Sequence, residues 1–432
     1  MWLFAVKLDL VPTSGMTVPA RPFTCGHVVP CIYRTYALIR ANMIQNKQEN
    51  YILYARVRGL PERSIIRHMF KNSLQASLTA LGMSLPKLIA GTFVVESIFA
   101  WPGIGRLCVA AIFNRDFPVI QAYVLIMAVL FVVGNVLVDI LSAAVDPRLR
   151  KEFSTSPWIR LQRDRLRWSA WVPGGVLVLG LLAPILPLSD PTLIDVGDKF
   201  APWSWHHPFG TDQLGRDVLS RLVYGIRATV FLSLLTMAIT SALGACVGLV
   251  SGFFRNRIDD VLMRICDVMM SFPSEVMILA IVGMTGPGLE NVVIANVVAK
   301  WPWYARMVRS IVRQYSDKDY IRFAKVAGGS SIRIMMRHLL PGTAGELFVL
   351  TTLDTGSVIL MISALSFLGL GVQPPTPEWG MMLNEAKEVM TLYPLQMIPA
   401  GMAILLVVAA FNFLGDSLRD AFDPKHAGRE RS

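Results

Sequence analysis

The sequence predicts an all-α polytopic membrane protein with two tandem, related units and about nine transmembrane helices, each roughly 20 residues long. Hydrophobic residues make up 53% of its 432 residues and charged residues only 16%. A soluble domain carries about a quarter charged residues. The apolar residues occur in runs long enough to cross a bilayer, and one short polar stretch between such runs occurs twice.

The formal net charge of +11 is explained by membrane topology. The Lys and Arg residues lie in short loops between apolar runs, which is the positive-inside pattern, so the charge does not indicate a nucleic-acid partner. The most basic loop, residues 148–167, is predicted to be a cytoplasmic linker. It divides the chain into a first unit, 1–147, and a second unit, 168–432, whose core transmembrane domain is expected at about 228–416.

Apolar runs place the individual spans. In the first unit the expected spans are Val28–Met43, which Arg34 and Arg40 interrupt, Leu74–Phe99 and Phe117–Val145. In the second unit they are Trp168–Leu188, Ala228–Phe253, Met263–Gly283, Leu289–Val312, Gly342–Leu368 and Tyr393–Gly415. Residues 189–227 and 369–388 are expected to be external segments.

The repeated polar stretch comprises Tyr51–Asn72 and Tyr320–Pro341. Both copies begin Tyr-Ile-x-x-Ala-basic-Val-x-Gly, with the same spacing from Ala to Gly. The pattern predicts a helix, a glycine turn and a second helix with an apolar ridge of Ile332, Met335 and Met336. A merely solvated loop has little reason to keep this pattern twice. A short amphipathic helix of this kind suits docking into a groove on a partner.

A second repeat shows how the units are oriented. Asp139-x6-Asp146-Pro147 recurs as Asp416-x6-Asp423-Pro424 at the end of the other unit. Because both tails and the linker are predicted to be cytoplasmic, the repeats are parallel. An ion-coupled secondary carrier would predict inverted repeats and paired charges at mid-membrane.

The sequence offers no positive evidence for catalysis. It lacks the phosphate-binding G-x-x-x-x-G-K-[ST] pattern and the common hydrolase and zinc motifs, so we expect a non-enzyme that binds no cofactor or metal itself. His206-His207, beside Trp203 and Trp205, is interpreted as interfacial. Asp354 lies about halfway along its predicted span, where an ionisable residue either lines a pathway or pairs with another helix.

Several stretches carry a resemblance to a known family. They are Ala324, Gly328, Leu340 and Pro341, with Ala55 and Gly59 in the first copy, and the stretches Phe99–Arg106, His207–Asp217 and Leu365–Pro375. In these stretches the chain resembles the inner-membrane permease subunits of ATP-binding-cassette importers, in the dipeptide, oligopeptide and nickel group.

The resemblance implies a type I importer permease-like bundle in a bacterial cytoplasmic (inner) membrane. Two cytoplasmic ATPase subunits would use the ATP, and an extracytoplasmic solute-binding protein would deliver peptides, nickel or nickel chelates. The ATPases would be coupled through Tyr51, Ala55, Gly59, Tyr320, Ala324, Lys325, Gly328 and Pro341.

The resemblance also implies a fusion. The first unit is similar to the end of one permease, with about three spans where the family has about six, and the second unit is similar to a complete partner permease. Another chain could supply the missing helices. The alternatives are a non-functional truncated product and an ion-coupled carrier.

Overall fold

The computed structural model describes residues 102–145 and 162–422 throughout, with residues 39–40, 43–44, 47, 50–58, 60–67, 69–70, 93–94, 96–97 and 100. Side chains 134–145 and 162–169 are not described. Most of the predicted spans Val28–Met43 and Leu74–Phe99 lies outside the described residues, as do Gly59, the Asp-Pro tails and most of the linker.

Helices account for most of the described chain, so the all-α class is confirmed. In chain order they are α1 Asn50–Val57, α2 Ile104–Phe113, α3 Phe117–Val145, α4 Gln162–Leu182, α5 Val218–Ile226, α6 Leu232–Phe254, α7 Arg257–Met270, α8 Ser274–Thr285, α9 Leu289–Ser316, α10 Asp319–Val326, α11 Ser331–Ile334, α12 Leu340–Phe367, α13 Trp379–Glu388 and α14 Met397–Phe422. π-Helical turns at Arg227–Phe231 and Met335–Leu339 make α5–α6 and α11–α12 continuous.

Three helices in the described part of the chain are long and apolar enough to cross a membrane: Val218–Phe254, Ser331–Phe367 and Pro394–Arg419. The α7–α8 pair would be a fourth if it forms one broken span. Helix α9 is long, but Lys300 and its arginines lower its apolar character. The count of nine spans therefore stays a prediction.

The chain divides into two compact units. One comprises mainly Leu3–Ile159 with Ser271–Val276, and the other Arg160–Met270 with Met277–Ser432. Within the larger unit, α6 packs along α9 through glycines. A Cβ atom at Gly248 would lie 2.6 Å from the Ala305 carbonyl oxygen, and one at Gly252 would lie 2.8 Å from a Val312 methyl carbon. Such small residues let helix backbones approach closely.

The predicted span Met263–Gly283 is not one continuous helix. Helices α7 and α8 meet there at an angle of 82°. Pro273 explains the break, because it lacks an N–H donor and drives the preceding residue out of the helical region.

Both predicted external segments of the second unit contain helix that the sequence did not indicate. Helix α5 begins at Val218, where the Asp217 carboxylate accepts a hydrogen bond from the Ser220 N–H at 2.7 Å. Helix α13 begins at Trp379, where the Glu378 carboxylate accepts from the Met381 N–H at 2.8 Å. Each carboxylate satisfies a backbone donor that the first turn of a helix leaves unpaired.

Candidate functional site

The second copy of the repeated stretch has the predicted helix, turn and helix. Helix α10 ends in a turn where Gly328 has a φ of +77°, in the left-handed region that favours glycine. The N–H groups of Gly328 and Gly329 donate to the carbonyl oxygens of Lys325 and Ala324, each at 3.1 Å. The chain then enters α11 and runs on into α12, with Pro341 in its first turn.

This stretch has a buried side and an exposed side. Ile321, Ile334 and Leu339 are buried against apolar side chains of α6 and α9, and Ala324 packs at the edge of that cluster. We call the exposed apolar residues the second coupling surface: Tyr320, Phe323, Val326, Ile332 and Met336.

Met335 is buried, so its predicted place on an exposed ridge with Ile332 and Met336 is wrong. Adjacent residues of a helix point about 100° apart, so Met335 faces the buried cluster while Met336 faces outward.

Polar contacts attach α10 to its surroundings. The Lys325 ammonium lies 4.7 Å from the centre of the Phe253 ring, and the Tyr320 and His338 rings are 6.5 Å apart. Arg255 pairs with Asp317 at 3.0 Å, just before α10. This hydrogen-bonded guanidinium lowers the pKa of the Asp317 carboxyl.

The first copy has the same division into sides. Ile52, Ile65 and Met69 are buried together, with Ala55 packed against them. Tyr54, Val57 and Ile66 are exposed, and we call these three the first coupling surface. The Tyr51 backbone is part of α1, and Gly59 lies outside the described residues.

The two copies correspond position by position. Before the glycine, where the offset is 269 residues, Ile52 matches Ile321 and Val57 matches Val326. After the turn the second copy has one more residue. The matching buried pairs are Ile52/Ile321, Ile65/Met335 and Met69/Leu339, and the matching exposed pairs are Tyr54/Phe323, Val57/Val326 and Ile66/Met336.

Asp354 lies on α12 and pairs with Lys300 of α9. The Lys300 ammonium is 2.9 Å from each carboxylate oxygen, and the Tyr304 hydroxyl donates at 3.2 Å. Sequence reasoning did not identify Lys300 as the partner of Asp354. The sequence places these two opposite charges in two predicted spans, and this could have indicated that they pair.

Sequence reasoning also missed two ionic clusters. Asp259 accepts from Arg309 at 2.5 and 2.7 Å and also from Ser251 and Arg313, which joins α6, α7 and α9. The other cluster lies in the segments predicted to be external and consists of Asp212, Arg216, Arg221 and Glu385. Three of these four residues fall in or next to the quoted stretch His207–Asp217. Their charges indicated that an ionic cluster could form, but Glu385, their partner on α13, could not be identified from the sequence.

No group of three or more His, Cys, Asp or Glu side chains able to hold a metal occurs among the described residues. His207 instead lies with its Nδ1 atom 3.1 Å from a carboxylate oxygen of Asp217, the residue that caps α5. This contact connects the histidine pair to the start of a spanning helix.

With this geometry in view, the chain can be compared with known proteins. The family described as "Binding-protein-dependent transport system inner membrane component" matches residues 31–151 and 244–427. The chain belongs to this family. The permease is an inner-membrane component of an ATP-binding-cassette importer, of the kind that works with ATPase subunits and a binding protein.

Individual relatives match mainly one part of this permease. It is 41% identical over 276 residues to the metal-staphylopine import system permease protein CntC of Staphylococcus aureus (strain NCTC 8325 / PS 47), covering 63% of this chain and 94% of that protein. It is 38% identical over 264 residues to the nickel transport system permease protein NikC of Escherichia coli (strain K12), covering 60% and 95%. It is 37% identical over 285 residues to the glutathione transport system permease protein GsiD of Pectobacterium atrosepticum, covering 65% and 95%.

These matches favour neither alternative to the importer. A secondary carrier or a non-functional product is not supported by relatives that are themselves named as permeases of import systems.

Proposed function

We propose that this permease imports peptides or nickel chelates and that one chain docks two ATPase subunits, one on each coupling surface. The observation that carries the proposal is the matched burial of the two copies. Ile52 is buried within the first copy and Ile321 against α6 and α9, whereas Val57 and Val326 are 79% and 87% exposed.

Exposed apolar side chains on a short cytoplasmic helix need a partner. Phe323 and Val326 lie one turn apart on α10, and Tyr54 and Val57 lie one turn apart on α1. An amphipathic helix inserts such a pair of side chains into a groove. Basic residues beside them, Arg56 and Lys325, would pair with acidic groups at the rim of that groove.

The second surface is attached to the membrane helices in a way that transmits motion. Helix α11 continues without a break into α12, which carries Asp354. The Arg255–Asp317 pair joins the other end of α10 to the end of α6. A displacement of α10 by an ATPase would therefore move two helices of the bundle.

The domain organisation follows from the same duplication. We infer that residues 1–147 and 168–432 correspond to the two permeases that form one pathway, and that 148–167 joins them in the cytoplasm. The matching exposed positions of the two copies support a role in transport for the first unit, either alone or with helices from another chain. ATP is then used only by the docked subunits.

The substrate class is proposed from the relatives. Their names include nickel, metal-staphylopine and glutathione, which are a metal ion, a metal chelate and a small peptide. Because one of these names is that of a metal chelate, we propose that a metal crosses as a chelate recognised by its organic part.

Counting bound ATPases tests the docking proposal. The intact permease is expected to retain two ATPase subunits, the single variants Val57→Glu and Val326→Glu one each, and the double variant none. A matched control is Leu392→Glu, because Leu392 is also 79% exposed but lies just before α14, between the predicted external segment 369–388 and the predicted span Tyr393–Gly415. If Val57→Glu retains both subunits, the first surface is not a docking site.

Uptake assays separate docking from transport. Membrane vesicles containing the full complex should accumulate labelled dipeptide or a labelled nickel chelate only when ATP and the binding protein are present. Free nickel uptake without a chelator would contradict the chelate proposal but leave the docking proposal intact.

A further inference from the structure

An exposed aromatic loop on the external side of the larger unit has no role in ATPase docking. Residues 200–211 read Phe-Ala-Pro-Trp-Ser-Trp-His-His-Pro-Phe-Gly-Thr, and we call them the tryptophan loop. Trp203 is 66% exposed, Trp205 is 89% exposed and Phe209 is 54% exposed. Two Trp rings so exposed beside one another in a predicted external segment indicate contact with something outside the chain.

The loop is held in shape by hydrogen bonds, so these side chains do not protrude by chance. At its base, the Ala201 N–H donates to the Thr211 hydroxyl at 2.7 Å and the Thr211 N–H donates to the Ala201 carbonyl at 3.2 Å. At its tip, Ser204 and His207 exchange backbone hydrogen bonds of 3.0 and 3.1 Å. The Trp203 and Trp205 rings lie 5.7 Å apart as a pair.

Both ends of the loop are fixed to the outer end of the last span. The Phe200 ring stacks on Tyr393 with centroids 3.9 Å apart. The Gln396 side chain donates to the Thr211 carbonyl at 2.6 Å. Tyr393 and Gln396 lie at the start of the candidate span Pro394–Arg419. The tail after this span is predicted to be cytoplasmic, so the start of the span is predicted to face outward. The tryptophans therefore project from the level at which this span leaves the membrane.

The charged residues in and near the loop indicate whether its exposed rings contact lipid or a protein. It contains no Lys, Arg, Asp or Glu, while the preceding residues 190–199 contain three Asp and one Lys. Indole rings prefer the membrane–water interface, where the ring is apolar and its N–H can meet water or headgroups. No Lys, Arg, Asp or Glu stands beside the exposed rings within the loop, and the carboxylates next to it, Asp198 and Asp217, lie against His207.

We propose that the tryptophan loop is an interfacial anchor whose Trp203 and Trp205 rings insert into the headgroup region of the outer leaflet. The anchor fixes the height of the external end of α14 against the bilayer. The neighbouring stretch 190–199, with its carboxylates, stays in water.

Fluorescence in vesicles tests the anchor. The intact permease is reconstituted into phosphatidylcholine with or without lipids brominated near the headgroup. Because the chain has 10 Trp residues, the signal of the loop is the difference between wild type and Trp203→Phe/Trp205→Phe. We expect brominated lipid to reduce this difference signal roughly twofold or more, and aqueous iodide to reduce it little.

The matched control places a tryptophan on the charged stretch. Val196→Trp, made in the double-Phe background, occupies a position that is 74% exposed. Its fluorescence should be reduced by iodide and hardly changed by brominated lipid. The single variant Trp205→Phe provides the difference signal if the double variant inserts poorly.

Two results would overturn the proposal. One is a loop signal that responds to iodide and brominated lipid in the same way as the Val196→Trp control. The other is a loop signal that becomes shielded from iodide only when the solute-binding protein is added, which would make the loop a protein-docking site.

Discussion

The Lys300 ammonium lies 2.9 Å from both carboxylate oxygens of Asp354 and so joins α9 to α12. Both side chains are mostly buried, at 17% and 24% exposure. Each charge would be costly alone in an apolar bundle, and each satisfies the other. The pair is 54 residues apart in sequence and depends on how the two helices pack.

Breaking this pair should destabilise the permease more than removing it. Asp354→Asn leaves Lys300 without a counter-charge and is expected to cost about 1–3 kcal/mol, less than for a fully buried pair because both groups keep some exposure. The double variant Lys300→Met/Asp354→Leu should recover most of that loss. Unfolding of the four proteins of this double-mutant cycle in detergent measures the coupling. If the destabilisations of the two single variants add up to that of the double variant, the pair is screened by water.

The glycines of α6 that contact α9 should not tolerate replacement by larger side chains. Gly248→Val places carbon atoms against Ala305 and Val308, where even a Cβ would lie 2.6 to 2.7 Å from existing atoms. Overpacking of this kind costs about 1–3 kcal/mol or more.

A matched glycine controls for helix propensity. Gly175 in α4 has open space on the side where a Cβ atom would lie, with no neighbouring atom within 4 Å of that position. Gly175→Val should therefore be nearly neutral or stabilise by up to about 0.5 kcal/mol. Thermal unfolding of both variants in the same detergent makes the comparison. Equal melting temperatures would contradict close packing of α6 on α9.

The external ionic cluster should be sensitive to loss of Asp212. Its carboxylate accepts from Arg216 at 2.7 Å and from Arg221 at 2.5 Å, and all three side chains are buried. Asp212→Asn leaves two buried guanidinium groups with only Glu385 and is expected to cost about 3 kcal/mol. Asp317→Asn, which breaks an exposed pair with Arg255, should leave unfolding almost unchanged. A similar small effect for both variants would refute the special role of burial.

Glu378 should make stability depend on pH. Burial raises the pKa of its carboxyl, although hydrogen bonds from Gly380, Met381 and Thr229 oppose the shift. Because the folded protein then holds this proton more tightly than the unfolded chain, the contribution is full below the ordinary pKa of about 4.5 and is lost as pH rises through the folded value.

The comparison with Glu378→Gln isolates this contribution. The free energy of unfolding of wild type minus that of the variant should fall as pH rises from about 4.5 towards neutrality. Unfolding in detergent at a series of pH values provides the measurement. A difference that is constant with pH, or that rises with it, would contradict the raised pKa.

The coupling stretch shows how far local patterns reach. The helix, the turn at Gly328 and the second helix follow from spacing and from a backbone position with positive φ, and both are local properties. Which of the two methionines is exposed did not follow. Met335 is buried and Met336 is exposed because the bundle packs against one side of this helix.

The sequence by itself determined the class of the protein, the duplicated coupling stretch and the importer family. These depend on run length, composition and spacing, which are visible along one chain. Only the tertiary structure decided that Asp354 pairs with Lys300, that α7 and α8 meet at 82°, and that Glu378 is buried. Desolvation and ion pairing depend on neighbours far away in sequence, so they are settled only when the helices pack.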